Sequence, residues 1–336
     1  MQATRAWRML TSTPVRIAGT AVGVLLLLHG VDAGAALRAL GGVDMGWLLV
    51  SALLTAVAYG LSIVEWGVLL RAASRAPWRR IGSWQVQSVF LGAVVPGGAG
   101  GDALRAVHAA NEAGTARGLA SLLCSRMAGS CGMATWALAS AVLLRDQFGW
   151  ITVVAAAALV ALIVIGWGVA LFAAPLISGC SRSRPRPLRY AATLAMPLSE
   201  ALRWFRDRGD ALGWAVISGV LGWTVNLLSL AALARAVGVD AGPDLFAVVL
   251  PLSLLTTLAP FAVSGIGLRE GVLVGLLMHA GVEPHRAGAL AVLVDLQPLP
   301  VALAGAMLWL TERGATRRCA AGARTTLRPA TAPPGR

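Results

Sequence analysis

Seven charged side chains stand inside otherwise apolar sequence: Glu65, Asp102, Arg105, Arg126, Arg269, Glu270 and Asp295. A charge within a lipid-length apolar run is expensive unless it pairs or faces a water-filled path. Carboxylates there suit ion pairing or proton traffic, and arginines suit bidentate capture of a phosphate or carboxylate. Two of the arginines close matched motifs. The first runs Pro96-Gly97-Gly98-Ala99-Gly100-Gly101-Asp102-Ala103-Leu104-Arg105, and the second Pro260-Phe261-Ala262-Val263-Ser264-Gly265-Ile266-Gly267-Leu268-Arg269. In both, Gly follows Pro by five positions and Arg by nine.

The backbone chemistry of such a motif is specific. Pro ends the preceding helix by removing a donor. Gly frees the chain to leave helical geometry and lets a ligand approach. The next helix then begins with unpaired N–H groups and a positive dipole end, a natural receptor for an anion. The candidate head-group site therefore comprises Gly100, Gly101, Asp102, Arg105, Arg126, Ser264, Gly265, Gly267, Arg269 and Glu270. Pro96, Gly97, Gly98 and Pro260 make the helix breaks, and Glu65 and Asp295 line a polar path. The bland alternative is a structural lock, since Asp102 and Arg105 are three apart on a helix and can pair with each other. Arg126 has two options, joining the anion site or neutralising Glu65 or Asp295.

The elements that position these residues are helices in a membrane. Of 336 residues, 57% are hydrophobic and 13% charged, against about 45–50% and about 25% in soluble domains. Apolar runs long enough to span occur near 16–31, 46–70, 118–144, 150–177, 211–234 and 287–310. Shorter runs at 83–95 and 245–259 lead into the two breaks, and short helices follow them near 102–110 and 266–280. Such broken segments survive only where protein or a cavity covers their backbone. The expected fold is an all-α polytopic membrane protein with about six full spans. Two re-entrant helical hairpins complete it, related as an inverted repeat with halves near 46–144 and 211–310. Interrupted segments at matching places in two halves mark transporter binding sites. Gln297, Pro298 and Pro300 predict a kink in the last span.

The formal charge of +13 comes entirely from arginine, with no lysine in the chain. Most arginines fall before the first span, after the second, between the fourth and fifth, and after the last. Six spans put all of these on one side, which is then cytoplasmic, with both termini inside. The charge is thus topological, with anionic inner-leaflet lipid as its partner, and nucleic acid is not expected. The face of Leu198, Ala201, Leu202 and Phe205 predicts a helix lying on the inner leaflet. Residues 1–312 form the membrane domain, and 313–336 a basic, disordered tail. A cleavable leader is the rival reading of the first span. Cys124 and Cys131 read as small buried residues, and no metal or cofactor site can be assembled.

Several segments together resemble a known family: Trp66 with Leu69-Leu70-Arg71, the 96–105 motif, Ser125-Arg126-Met127-Ala128-Gly129, and Pro260 through Gly271. They are similar to the transmembrane region of bacterial lysylphosphatidylglycerol synthases and their stand-alone flippase-like relatives. The resemblance implies movement of a lipid with a charged or glycosylated head group between leaflets of the bacterial inner membrane. It places Asp102, Arg105, Arg126, Arg269 and Glu270 on motif positions. It also implies a protein that is not an enzyme, because no soluble aminoacyl-transferase part accompanies these segments. Glu65 stands beside Trp66 where many relatives look basic. The alternatives are an integral-membrane enzyme or accessory subunit acting on polyprenyl-phosphate-linked sugars, and a scaffold for another enzyme. In the expected mechanism Arg105 and Arg269 grip the lipid phosphate while the two halves rock.

Overall fold

The computed structural model describes residues 41–94, 99–172, 197–255 and 268–326, and what is described is helical with short connections. In chain order the helices are α1 (Met45–Ala73), α2 (Trp78–Val94), α3 (Ala99–Ala113), α4 (Thr115–Leu143), α5 (Arg145–Phe148) and α6 (Trp150–Phe172). Then come α7 (197–206), α8 (Gly209–Ala236), α9 (Pro243–Leu255), α10 (Leu268–His279), α11 (Pro284–Leu296) and α12 (Leu299–Thr326). The expected first span lies outside the described residues, as do Pro96, Gly97, Gly98, Pro260, Ser264, Gly265 and Gly267.

Among the described residues three stretches are long and apolar enough to cross a membrane: Met45–Ala73, Gly209–Ala236 and Pro284–Glu312. Their outward residues fit lipid. Leu49, Leu53 and Val57 of α1 are exposed, as are Leu162, Val164 and Ile165 of α6. Apolar exposure on that scale signals a surface covered by something other than water. Helix α4 is as long as α1 but less apolar, because it runs through the middle of the bundle. Its Ser121, Cys124, Ser125, Ala128 and Ser140 are buried, and it packs on α1, α3, α6, α8 and α9. The predicted kink falls at Gln297 and Pro298, a two-residue turn between α11 and α12, where Pro cannot continue the hydrogen-bond ladder.

Helix α1 starts on an Asp44 cap, whose carboxylate accepts from the Gly46 and Trp47 amides at 2.7 and 3.3 Å. The Asp44 amide itself donates to the Ala236 carbonyl at 2.9 Å. The start of α1 therefore meets the end of α8, and the two run antiparallel. Their far ends share a cluster in which Leu69, Ala211 and Ala215 are buried with Cys124. That end also gathers arginine over tryptophan, with Arg71 on Trp78 and Arg117 and Arg208 on Trp204. At the other end the described arginines meet carboxylates: Arg145 with Asp146, Arg235 with Asp240, and Arg286 with Glu283. Among the described residues arginine outnumbers carboxylate at the first of these ends, where Arg80 and Arg206 also meet Glu112 and Asp207.

Along their length α1 and α8 are knotted by side chains. Ser229 Oγ lies 2.8 Å from Thr55 Oγ1 and 3.1 Å from Ser51 Oγ. Gln297 Nε2 donates to Ser229 Oγ at 2.7 Å and to Ser51 Oγ at 3.2 Å, tying the α11–α12 break to the same point. Hydroxyls stripped of water need such partners. Ser229→Ala is expected to cost about 1 kcal/mol, read as a lower unfolding temperature of the purified protein in detergent. An unchanged temperature would show the knot to be dispensable.

Helix α7 corrects one expectation. Its apolar face forms as predicted, but Ala201, Leu202 and Phe205 are buried against Leu69, Ala120 and Ala215. Protein, rather than the lipid surface, covers that face. Helix α12 reaches Thr326, into the segment assigned to the tail.

Candidate functional site

The two hairpins are helix pairs, α2 packed on α3 and α9 packed on α10. Gly101 is what lets α3 sit on α2, since a Cβ there would collide with the Ser88 carbonyl. Gly118 does the same for α4 on α3, where a Cβ would come within 2.6 Å of the Ala109 carbonyl oxygen. Gly101 thus serves helix packing, and neither it nor Gly100 is among the described lining of the cavity below.

Packing α3 against α2 and α4 assembles the first charged cluster. Arg105 is 8% exposed. Its Nη2 donates to Asp102 Oδ1 and its Nη1 to Gln85 Oε1 at 3.2 Å, while the guanidinium stands 5.7 Å above the Trp66 ring. From α4, Arg126 Nη2 donates to both Asp102 oxygens at 2.5 and 2.6 Å. Asp102 thereby bridges two arginines, one buried and one open, the Arg126 side chain being 64% exposed. On α1, Glu65 Oε1 accepts from Ser125 Oγ at 2.7 Å. Gly129 lies beside that carboxylate, and a Cβ there would make only an ordinary contact, 3.6 Å from both of its oxygens.

The second cluster joins α10 to α11. Arg269 Nη1 donates to Asp295 Oδ1 at 3.2 Å, and Glu270 lies beside the Asp295 carboxyl. Arg269 Nε is buried with no acceptor among the described residues. Each hairpin's second helix is therefore tied by one ion pair to the helix that follows it. The signs are exchanged: Asp102 to Arg126 in the first, Arg269 to Asp295 in the second.

Between the clusters lies a cavity of about 580 Å³, a size typical of ligand sites. Its wall takes Tyr59, Ser62 and Glu65 from α1, Arg126 from α4, and Trp223 and Asn226 from α8. Arg269 comes from α10, and Gln297 and Pro298 from the α11–α12 break. Two guanidinium groups thus meet one polar space from different ends of the sequence. The pair differs from the expected Arg105 and Arg269. Arg105 is turned away into Asp102, Gln85 and Trp66, and Arg126 stands at the wall in its place. Asp102 pairs with Arg105 as the lock reading expected, and Arg126 pairs with Asp102 rather than with Glu65 or Asp295; Arg126 and Arg269, each ion-paired, also line the cavity.

Sequence reasoning missed Tyr59, Trp223 and Asn226 as lining residues. Asn226 carried a usable signal, a lone amide inside the apolar 211–234 run. Tyr59 and Trp223 carried none, because aromatic residues in a span read equally well as packing. Among the described residues no group of three His, Cys, Asp or Glu side chains comes together as a metal-binding set.

Comparison with known proteins agrees with this architecture. The chain is 27% identical over 292 residues to a "UPF0104 membrane protein" from Methanothermobacter thermautotrophicus, covering 78% of this chain and 82% of that one. The family model described as "Lysylphosphatidylglycerol synthase TM region" matches residues 14–305. With nearly the whole bundle inside that match, the chain is a membrane protein that belongs to the lysylphosphatidylglycerol synthase transmembrane-region family.

Proposed function

We propose that this protein moves a lipid with a phosphate-containing or otherwise charged head group from one leaflet to the other. The observation that carries the reading is the cavity onto which Arg126 and Arg269 both open. A guanidinium offers five donors. The Asp102 pair engages only Nη2 of Arg126, and the Asp295 pair only Nη1 of Arg269. Among the described residues, donors therefore remain on each for phosphate oxygens. Acyl chains stay in the bilayer beside the apolar outer faces while the head group occupies the polar interior. The two hairpins, with their sign-exchanged ion pairs, support reading residues 46–144 and 211–310 as inverted halves. The arginine-rich end of α1 and α8 supports placing that end in the cytoplasm of a bacterial inner membrane, against anionic lipid. No covalent step is needed, so the protein acts as a carrier rather than an enzyme.

The test is transfer of fluorescent phosphatidylglycerol across vesicles containing the purified protein. Arg126→Ala and Arg269→Ala should each slow transfer tenfold or more, since a charge-assisted hydrogen bond is worth about 1.5–3 kcal/mol. Undiminished transfer in both variants would overturn the reading.

A further inference from the structure

We propose that each anionic head group enters the cavity together with one proton, and that Glu65 carries it. The inference deepens the proposed function and rests on it. Glu65 lies on the cavity wall, where a proton can reach it. Ser125 is its one hydrogen-bond partner among the described residues, and no arginine there forms an ion pair with it. Of the other carboxylates of the site, Asp102 is committed to Arg105 and Arg126, and Asp295 to Arg269, with Glu270 held against the Asp295 carboxyl.

The charges facing Glu65 come from two packed helices. Helix α3 presents Asp102 and Arg105, and α4 presents Arg126 beside Ser125; both arginines act on Glu65 through space. Its own helix adds Tyr59 and Ser62, α2 adds Gln85 through Ser62, and α8 adds Trp223 and Asn226. Arg269, with Asp295 and Glu270 behind it, stands at the same cavity. In the empty state the groups of the first cluster, Glu65, Asp102, Arg105 and Arg126, balance two negative against two positive, and Arg269 with Asp295 and Glu270 adds one negative charge.

A phosphodiester on Arg126 adds one negative charge to a balanced set inside a membrane. Like charges in such a space cannot all stay ionised at low cost. The group that yields is the one without an ion pair. Its carboxylate takes a proton from the aqueous phase to become a carboxylic acid, and gives it back when the head group leaves. No other bond changes. The loaded cavity then carries the same net charge as the empty one, so head group and proton cross together without net charge.

One proton bound with each head group makes apparent affinity fall about tenfold per pH unit while Glu65 is ionised in the empty protein. The probe is short-chain phosphatidylglycerol, whose phosphodiester keeps its charge through neutral pH. Calorimetric titration of the full chain, in buffers of different ionisation heat, counts protons taken up. The natural chain should take up about one proton per lipid bound. Glu65→Gln, which keeps an acceptor for Ser125, should take up none and bind with an affinity that no longer changes with pH. Binding without proton uptake, or uptake unchanged in Glu65→Gln, overturns the coupling and leaves the head-group site standing. Uptake that survives in Glu65→Gln but vanishes in Asp295→Asn assigns the proton elsewhere and overturns the role of Glu65. No binding of phosphatidylglycerol at any pH overturns the anionic site and the coupling with it.

Discussion

Asp102→Ala is expected to cost about 3–5 kcal/mol of folding stability, the loss seen when one partner of a buried ion pair is removed. The cost does not arise at Asp102, whose side chain is half exposed. It arises at Arg105, which is left with a positive charge, 8% exposed, facing Gln85 and the Trp66 ring. Adding Arg105→Met should return most of the loss, because an unbranched apolar side chain of similar length needs no counter-ion. Chemical or thermal unfolding of the two variants in detergent decides the matter. If the double variant is no more stable than Asp102→Ala, the stranded charge is not the cause. Arg126 should tolerate removal better than Arg105, since water reaches it.

The second large effect is expected where α4 crosses α8. A Cβ on Gly219 would stand 2.8 Å from the Ala128 carbonyl oxygen, and one on Gly132 would stand 2.6 Å from the Gly219 carbonyl oxygen. The two backbones touch, as small residues allow between membrane helices. Backbone cannot move aside as a side-chain tip can. Gly219→Leu should therefore exceed the usual overpacking loss of about 1–3 kcal/mol, and the protein should aggregate on gel filtration. Gly222, three residues on, is the control. The nearest atom to a Cβ there is Leu61 Cβ at 3.8 Å, an ordinary contact. Gly222→Ala should be neutral or stabilising, by up to about 1 kcal/mol of helix propensity. Similar behaviour of the two variants would argue against a backbone crossing at this place.

Much of this bundle was legible in the sequence. Long apolar runs mark α1 and α8 because apolar length is what a bilayer demands. The Pro and Gly breaks expected after α2 and α9 fall outside the described residues. Gln297 and Pro298 mark the break in the last span because Pro acts on the backbone locally. What could not be read is which side chains meet across helices. In the linear sequence the motif favours Arg105 for an anion, with Arg126 as an option. Only the packing of α3 between α2 and α4 buries one and leaves the other open. The face of α7 was correctly drawn from its periodicity, yet periodicity says that a face is covered and not by what. The partnership of Arg269 with Asp295 was likewise hidden, because nothing in the sequence links the start of α10 to the end of α11.

A seam knotted by Ser51, Thr55, Ser229 and Gln297 behaves as an axle. Sliding α1 along α8 would break these bonds together and leave hydroxyls bare among apolar side chains, so the two helices turn as one body. Tilting one half of the bundle as a block against the other meets that resistance along its whole length. The hairpins are fastened differently. Helices α3 and α10 are each joined to the next helix by one solvent-reached ion pair. On the proposed function, a head group that takes hold of Arg126 and Arg269 competes for these two latches and leaves the axle untouched.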